Sequence, residues 1–450
     1  MPLGERLKQA SGYPPRAVSD PPGGLAPELY YDLKGTLHTR LVDRLNLETL
    51  GRLTREQLTV EIGALLAQMV AGTNLPLNRR EREQMVVELI DDILGLGPLE
   101  ALLRDNSISD ILVNTFNTIY VERAGRLERT ALRFRDNEHL QHTINRIVSR
   151  VGRRVDETSP MVDARLPDGS RVNAIVPPLA VDGPILSIRR FGGAPLRMDD
   201  LLRNGAMTEV MRDFLEPCVK ARLNILVAGG TGTGKTTMLN ALSTYIPNHE
   251  RIVTIEDAAE LQLQQAHVVR LETRPPNVEG KGEVLTRDLV RNSLRMRPDR
   301  IIVGEIRSIE VIDMLQAMNT GHEGSMGTIH ANTTRDALTR MMAMIGMSGL
   351  NVTEQVVSQM IARALDLIVQ LHRSSDGKRR VVSIAEVTGI EGTVIQTQDI
   401  FTFRQRGVDS EGRVVGDYIS TGLRPRCVAR LERAGFDVPA EMFAPREVPA

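Results

Sequence analysis

The segment that most restricts the fold runs from Asn224 to Leu242 and reads NILVAGGTGTGKTTMLNAL. It fits the pattern G-x-x-x-x-G-K-[ST], which begins at Gly229 and ends at Thr236. A short apolar run precedes the loop and a helical apolar stripe follows it, so the segment predicts a strand, a loop and a helix. Glycines let consecutive backbone N–H groups turn inward around an anion, at the positive end of the helix dipole. The segment therefore predicts a nucleotide-phosphate site.

Lys235 is expected to reach the β and γ phosphates, and the Thr236 hydroxyl is expected to ligate Mg²⁺. The predicted cofactors are therefore ATP and Mg²⁺. The alternative, a glycine- and threonine-rich turn with a chance lysine, does not explain why a strand and a helix flank the loop. The predicted phosphate-binding residues are Gly229, Gly230, Thr231, Gly232, Thr233, Gly234, Lys235, Thr236 and Thr237.

Composition narrows the class of partner. The formal net charge of −1 gives no bias toward nucleic acid or anionic membrane, and aromatic residues, at 3%, are too scarce for a base-stacking surface. The amino terminus lacks the apolar core of a signal peptide, and no run of about 18 apolar residues is present. Cys218 and Cys427 lie far apart and form no metal or disulfide pattern, as suits a reducing cytosol. We therefore expect a soluble intracellular protein with no nucleic-acid partner and no direct membrane insertion.

The segment that follows the first 26 residues is expected to be helical. Residues 1–26 are rich in proline and glycine and predict a disordered tail. Capping boxes that begin at Thr54 and Asn78 each precede an apolar helical stripe. With a further helix near 28–45, these two helices predict a bundle over residues 27–105.

The period of the apolar residues changes beyond this bundle. Alternating residues with Asn and Gly turns, followed by one helix and more strands, predict an α+β domain over 106–195. Strand and helix signals then alternate over 196–390, which is typical of a parallel sheet with covering helices. Residues 391–450 predict a β-rich carboxyl extension and tail.

Two apolar strands end in acidic residues. RIVTIEDAAEL places Glu256 and Asp257 at the end of one strand, and RPDRIIVGEIR places Glu305 at the end of another. Carboxylates at strand ends beside a phosphate loop are suited to hold Mg²⁺ or to orient water, although such acids are commonly only solvated. Phosphate-loop enzymes usually have an aspartate at the end of the second of these strands, where this chain has Glu305, and that aspartate holds Mg²⁺. Because Gly304 precedes Glu305 here, either Glu305 polarises the water or Glu256 shares that task, and the sequence leaves both open.

TGHEGSMGTIHANT places His322 and His330 around a predicted strand, Met326–Ile329. His330 at the strand end is suited to contact a γ-phosphate, whereas neither histidine has the spacing of zinc ligands. A methionine-rich segment follows and is expected to fill core beneath a helix rather than to form a soft binding surface. Its methionines are Met341, Met342, Met344 and Met347.

Arginines stand on or beside strands of the upstream domain, namely Arg165, Arg171, Arg189 and Arg190. They are either ordinary solvated surface or fingers that face a phosphate.

Four segments described above resemble, in this order, the Walker A, Asp box, Walker B and His box motifs of the type II/IV secretion ATPases. They are NILVAGGTGTGKTTMLNAL, RIVTIEDAAEL, RPDRIIVGEIR and TGHEGSMGTIHANT. Within that superfamily the chain is similar to the tight-adherence (Flp) pilus assembly ATPases of the CpaF type. The residues that carry this similarity are LRMRPDRIIVGEIR, MLQAMNTGHEGSMGTIHANT, DARLPDGSRVNAIVPPL and VTGIEG…QDIFTF…GVDSEGRVVGDYISTGLRP. The resemblance covers roughly residues 28–438.

The resemblance implies an α/β fold: a RecA-like P-loop ATPase domain with a parallel sheet, preceded by a small α+β (PAS-like) domain and the helical bundle. It implies a homo-hexamer that hydrolyses ATP at the cytoplasmic face of the inner membrane, where platform proteins hold it, and that moves pilins. Relatives in type II secretion often insert a four-cysteine zinc module, which two cysteines cannot form.

The resemblance also implies roles for the candidate residues. Glu305 activates water, with Glu256 or Asp257 assisting, and Glu305 and Thr236 hold Mg²⁺ directly or through water. His330 senses the γ-phosphate, and Arg171 and Arg189 clamp it from the smaller domain. Two other functions stay open: a RecA-type nucleic-acid translocase, and a scaffold that binds nucleotide without hydrolysing it.

Overall fold

The computed structural model of this chain describes residues 27–44, 78–123, 125–192, 196–276, 281–349 and 352–449, together with scattered positions between 57 and 68. The predicted tail over 1–26 lies outside the described residues, as does most of the helix expected after Thr54. The chain divides into two compact units, Met1–Gly193 and Ala194–Ala450.

The first unit begins with helices and continues into a sheet. Its elements are α1 (Pro27–Arg44), α2 (Arg79–Leu94), α3 (Leu99–Arg104), β1 (Ile108–Thr115), β2 (Thr118–Arg123), β3 (Arg126–Arg129), α4 (Asn137–Ser149), β4 (Met161–Arg165), β5 (Arg171–Ile175) and β6 (Ile185–Arg189).

Helix α2 starts with the predicted capping box. The Asn78 side chain accepts from the Glu81 N–H at 2.9 Å, and the Glu81 carboxylate accepts from the Asn78 N–H at 2.8 Å. The apolar stripe of α2, with Met85 and Leu89 fully buried, packs against α1 around Leu41. The capping box is confirmed, while a third helix of the predicted bundle stays a prediction.

The strands of the first unit form one antiparallel sheet in the order β3-β2-β1-β6-β5-β4. Helix α4 has an apolar stripe at helical spacing, Leu140, Ile144 and Ile147, which is buried in the same cluster as Ile111 and Leu186 of the sheet. Burial of this stripe explains why residues 137–149 form a helix between strands.

The second unit alternates helices and strands and then becomes a run of strands. Its elements are α5 (Met198–Arg203), α6 (Glu209–Lys220), β7 (Ile225–Gly229), α7 (Lys235–Ser243), β8 (Ile252–Glu256), β9 (Val268–Glu272), α8 (Thr286–Ser293), β10 (Arg300–Ile306), α9 (Glu310–Asn319), β11 (Met326–Ile329), α10 (Thr334–Gly346), α11 (Glu354–Ala364), β12 (Leu367–Arg373), β13 (Arg379–Glu391), β14 (Val394–Val408), β15 (Val414–Ser420), α12 (Val428–Arg433), a 3-10 turn (Ala440–Phe443) and β16 (Arg446–Pro449).

These strands form one sheet in the order β16-β15-β14-β13-β12-β7-β11-β10-β8-β9. The strands from β12 to β9 are parallel, as the alternating pattern predicts. The strands from β13 to β16 are antiparallel and hydrogen-bonded onto β12, so the sheet is mixed rather than parallel. The carboxyl strands therefore extend the sheet of the phosphate loop, because β13 pairs with β12 directly.

Apolar side chains fill both faces of this sheet. Met341 and Met344 are buried beneath α10, which confirms a core role for that part of the methionine segment, whereas Met347 is 87% exposed. Among the described residues, no helix combines the length and the apolar character that crossing a membrane requires.

The two cysteines, distant in sequence, meet in this core. Cys218 of α6 is fully buried, and Cys427 at the start of α12 packs against the same cluster. Both thiols are free, and burial raises the pKa of Cys218 well above its usual value. The sequence did not predict this proximity, because Cys427 belongs to the carboxyl-terminal segment, which packs onto the same core as α6.

Candidate functional site

One edge of the second sheet gathers the predicted site. Strands β8, β10, β11, β7 and β12 are parallel, so their carboxyl ends lie along the same edge. The antiparallel strand β13 starts at that edge. Ligands of open α/β sheets bind outside the carboxyl ends of the strands. The phosphate loop, both acidic strand ends and His330 therefore share one edge.

The phosphate loop follows β7, whose residues are all buried. Gly229 has no room for a side chain, because an added Cβ would lie 2.4 Å from Thr233 Oγ1 and 3.0 Å from the Leu371 carbonyl. Gly234, with φ of 95°, caps α7 in the left-handed region. The Thr233 hydroxyl donates to the Gly230 carbonyl at 2.9 Å and closes the loop. The loop thus stands at the start of α7, where the sequence predicts it.

Lys235 and Thr236 occupy the first turn of α7, and both are half-buried. The Lys235 ammonium donates to the Gly230 carbonyl at 2.9 Å. The Lys235 ammonium therefore lies against its own loop. The N-terminal N–H groups of α7 lack partners within the helix and are available to phosphate.

Glu256 ends β8 and is buried, with 4% of its surface exposed. One carboxylate oxygen accepts from the N–H groups of Glu260 and Leu261 at 2.8 and 2.9 Å, and the other oxygen has no hydrogen-bond partner among the described residues. Burial raises the pKa of Glu256 to about 7. A Cβ on Gly304 would lie 2.8 Å from Glu256 Cγ. Glycine therefore precedes Glu305 because Glu256 packs against that backbone.

Glu305 lies near the end of β10 and is joined to Asp257 by an arginine that sequence reasoning missed. Arg307 donates to the Glu305 carboxylate at 2.6 Å and to the Asp257 carboxylate at 2.9 Å. The hydrogen bond to Glu305 raises the pKa of Arg307 above its usual value. The motif GEIR contains this arginine two residues after the acid, which is the only sequence signal for the bridge.

The oxygen donors at this edge fit a magnesium ion. Mg²⁺ prefers hard oxygen ligands and usually takes one or two carboxylates together with substrate phosphates. Thr236 offers a hydroxyl, Glu305 a carboxylate, and Glu256 a buried oxygen that lacks a partner among the described residues. The described part of the chain contains no group of three or more His, Cys, Asp or Glu side chains that could hold a metal ion by themselves.

The two histidines lie at opposite ends of β11. His330 follows the carboxyl end, where the Ala331 N–H donates to the Gly229 carbonyl at 3.3 Å and ties this strand end to the phosphate loop. His322 precedes the other end of β11, away from the loop. Asn332, which sequence reasoning missed, also approaches: its Oδ1 is 4.0 Å from the position of a Cβ on Gly230.

The opposite flank of the loop carries two more arginines that sequence reasoning missed. Arg379 Nε donates to the Gly232 carbonyl at 2.9 Å. Arg373 Nη1 lies 3.6 Å from the position of a Cβ on Gly232. Both flank the turn between β12 and β13, and a pair of arginines around an SSDGK turn was their only sequence signal.

Three of the four upstream arginines form a row in the first unit. Arg165, Arg171 and Arg189 are register partners across β4, β5 and β6. The Arg189 side chain is 59% exposed and its Nε lies 3.9 Å from an Asp110 carboxylate oxygen. Arg190 instead donates to the backbone carbonyls of Asp105 and Ile108 and so fixes a chain segment. Arg171 and Arg189 of this row are the predicted clamp, and their action on nucleotide stays a prediction.

The profile of the family described as "Type II/IV secretion system protein" matches residues 92–415. A putative conjugal transfer protein of Mycobacterium tuberculosis is 40% identical over 309 residues, which is 67% of this chain and 87% of that protein. The conjugal transfer protein TrbB of Rhizobium radiobacter is 32% identical over 317 residues, 70% of this chain and 94% of TrbB.

Among solved structures, the VirB11 ATPase of the Brucella suis type IV secretion system is similar, with 27% identity. The match covers 64% of this chain and 91% of VirB11, with a TM-score of 0.35.

Proposed function

Because the chain belongs to the type II/IV secretion system protein family, we propose that it is a Mg²⁺-dependent ATPase that powers protein movement through a membrane-bound machine. The observation that carries this proposal is the shared sheet edge. It combines a phosphate loop, a lysine within reach of it, and two carboxylate strand ends of different character.

The residues at this edge divide the work of ATP hydrolysis. The loop and Lys235 hold the phosphate chain, and the Thr236 hydroxyl and Glu305 would hold Mg²⁺, which neutralises charge that develops on the phosphates. Glu305 orients and deprotonates the attacking water. Glu256 assists from a buried position, and His330 contacts the γ-phosphate. Catalysis of this type consists of positioning and charge stabilisation rather than covalent chemistry.

The finer assignment is a homo-hexameric motor of the tight-adherence (Flp) pilus type, similar to CpaF. It assembles pili, with retraction as a further activity, and works at the cytoplasmic face of the inner membrane through platform proteins. The pilus-type sequence blocks support this assignment, and the relatives named for conjugal transfer and type IV secretion support a secretion machine as the setting.

The first experiment measures phosphate release by the purified full chain with ATP and Mg²⁺, with and without single- and double-stranded DNA. We expect hydrolysis that DNA does not stimulate, and DNA affinity no tighter than the non-specific range of ~10⁻⁴ to 10⁻⁶ M. Mass photometry with Mg²⁺ and a non-hydrolysable ATP analogue is expected to show a six-subunit ring.

Three outcomes would contradict this proposal separately. Stimulation of turnover by DNA supports the translocase, and ATP binding without phosphate release supports the non-hydrolysing scaffold. A protein that stays monomeric under all nucleotide conditions would contradict the proposed hexameric motor.

A second prediction separates the two glutamates. Glu305→Gln is expected to keep ATP binding and to hydrolyse ATP at least ~100-fold more slowly, because it removes a positioned base. Near-normal turnover by Glu305→Gln would assign the base to Glu256. Isothermal titration and phosphate release on Glu305→Gln and on wild type measure these effects.

Because the pKa of Glu256 is raised, Glu256→Gln is expected to change how the stability of the protein depends on pH. A carboxyl with a folded-state pKa of about 7, against a usual 4.5, favours the folded state most when it is protonated. Stability of the wild-type protein is therefore expected to fall as the pH rises from 4.5 to 7. Glu256→Gln should remove this loss, whereas Glu305→Gln should retain it. Urea unfolding at pH 5 and pH 8 measures the difference, and equal pH slopes in wild type and Glu256→Gln would contradict it.

A further inference from the structure

Arg373 and Arg379 close the hairpin between β12 and β13. They are direct register partners in the antiparallel pair, so their side chains leave the same face of the sheet. On β12, Leu371 is the register partner of Gly229. The two arginines therefore stand just beyond the strand end at which the phosphate loop opens.

Both arginines contact the loop itself. Arg379 Nε donates to the Gly232 carbonyl at 2.9 Å, and Arg379 Cδ lies 3.3 Å from the position of a Cβ on Gly234. Arg373 Nη1 is 3.6 Å from the corresponding position on Gly232. A guanidinium at this distance from a loop built to hold phosphate is close enough to share the anion.

A buried ion pair fixes the hairpin turn that presents them. Arg380 Nη1 and Nη2 donate to the two Asp376 carboxylate oxygens at 3.1 and 2.9 Å, and both side chains are at least 96% buried. Asp376 also accepts from the N–H groups of Lys378 and Val414, and the Arg380 guanidinium holds its pKa well below the usual range. These contacts hold together the turn that carries Arg379 beside the loop.

The charges at the sheet edge are arranged on two sides of the loop. The acids Glu256, Asp257 and Glu305 end β8 and β10 on one side, and Arg373 and Arg379 stand at β12 and β13 on the other. Like charges on directly opposed strand residues repel, and no acid among the described residues forms an ion pair with Arg379. An anion beside Arg379 would meet a guanidinium whose hydrogen bond goes to a neutral carbonyl, that of Gly232.

We propose that Arg379, with Arg373 beside it, contacts the phosphate chain of the nucleotide bound at the loop. This inference rests on the proposed ATPase function and adds a basic flank supplied by the carboxyl strands of the same chain. On binding, the Arg379 guanidinium exchanges the Gly232 carbonyl for phosphate oxygens, which match its planar fork of donors.

The test replaces Arg379 with glutamine, which keeps an N–H donor for the Gly232 carbonyl and removes the charge. We expect Arg379→Gln to bind a fluorescent N-methylanthraniloyl ATP at least ~10-fold more weakly, and Arg373→Gln/Arg379→Gln ~100-fold more weakly, the scale of one and two lost charge-assisted hydrogen bonds. Affinity of the variants should also decrease less steeply with added KCl. Lys378→Gln, which removes a charge from the same turn, is the matched control and should bind like wild type.

Equal affinity and equal salt dependence in Arg379→Gln and wild type would show that Arg379 only braces the loop, and would overturn the inference. An equal loss of affinity for labelled ATP and for labelled adenosine, which has no phosphates, would show a damaged loop and overturn it as well. If wild type itself binds no ATP, the proposed function falls together with this inference. Wild-type binding beside an unaffected Arg379→Gln removes this inference alone.

Discussion

Lys235→Ala is expected to abolish ATP hydrolysis and to weaken ATP binding by ~10- to 100-fold. The lysine is the first residue of α7, and its ammonium donates to the Gly230 carbonyl of the loop. Its removal takes away one charge-assisted contact to the β and γ phosphates, which is worth about 1.5–3 kcal/mol. Phosphate release and isothermal titration of the full chain measure both effects.

The matched control is Lys220→Ala, which removes a surface lysine at the end of α6 whose ammonium pairs with Glu216 at 2.5 Å. That variant should hydrolyse ATP like wild type. An unchanged melting temperature for Lys235→Ala would separate lost binding from lost folding. Measurable turnover by a folded Lys235→Ala protein would remove the loop from the proposed mechanism.

Arg171→Ala and Arg189→Ala are each expected to reduce turnover steeply, toward the ~10³-fold effect at the lower end of the range for arginine fingers. ATP binding should stay within a few-fold of wild type, because a finger acts mainly on charge that develops in the transition state. The two residues are register partners on β5 and β6, so a single ligand can meet both. The same variants should lose the ATP-dependent compaction measured by small-angle scattering.

Arg129→Ala is the control, since it removes an arginine from the fully exposed strand β3 of the same sheet. Such surface changes alter stability by at most ~0.5 kcal/mol and should leave turnover unchanged. Wild-type turnover and compaction in both Arg171→Ala and Arg189→Ala would show that these residues are ordinary strand-surface charges. The proposed phosphate contact of Arg379 would not be affected by that result.

The parts of the site that local sequence predicts are those that local sequence builds. The strand before Gly229, the loop and the helix after Gly234 follow from apolar spacing and glycine pattern within one short segment. The strand Met326–Ile329 and the strand end at Glu256 follow from apolar runs with a polar stop. Each of these features depends on near neighbours in the chain.

The features that the sequence did not predict join distant residues. Arg307 bridges Glu305 to Asp257, which is 50 positions away, and Arg379 reaches Gly232 across 147 positions. Neither partner can be inferred from periodicity. An arginine at a strand end has the same local sequence pattern whether its side chain is solvated or bridges distant groups. The raised pKa of Glu256 likewise depends on burial against β10, which only the sheet order reveals.

The strand β13 connects the phosphate loop to a distant hairpin. It spans 13 residues from Arg379 to Glu391, or about 40 Å at the usual rise of ~3.3 Å per residue, and its middle is hydrogen-bonded to β12 on one side and β14 on the other. The residues paired on both flanks are 383–386, and register shifts interrupt the pairing with β14 after Ile384 and after Val387. One strand thus joins Arg379, which contacts the phosphate loop, to the hairpin that turns at Gly392.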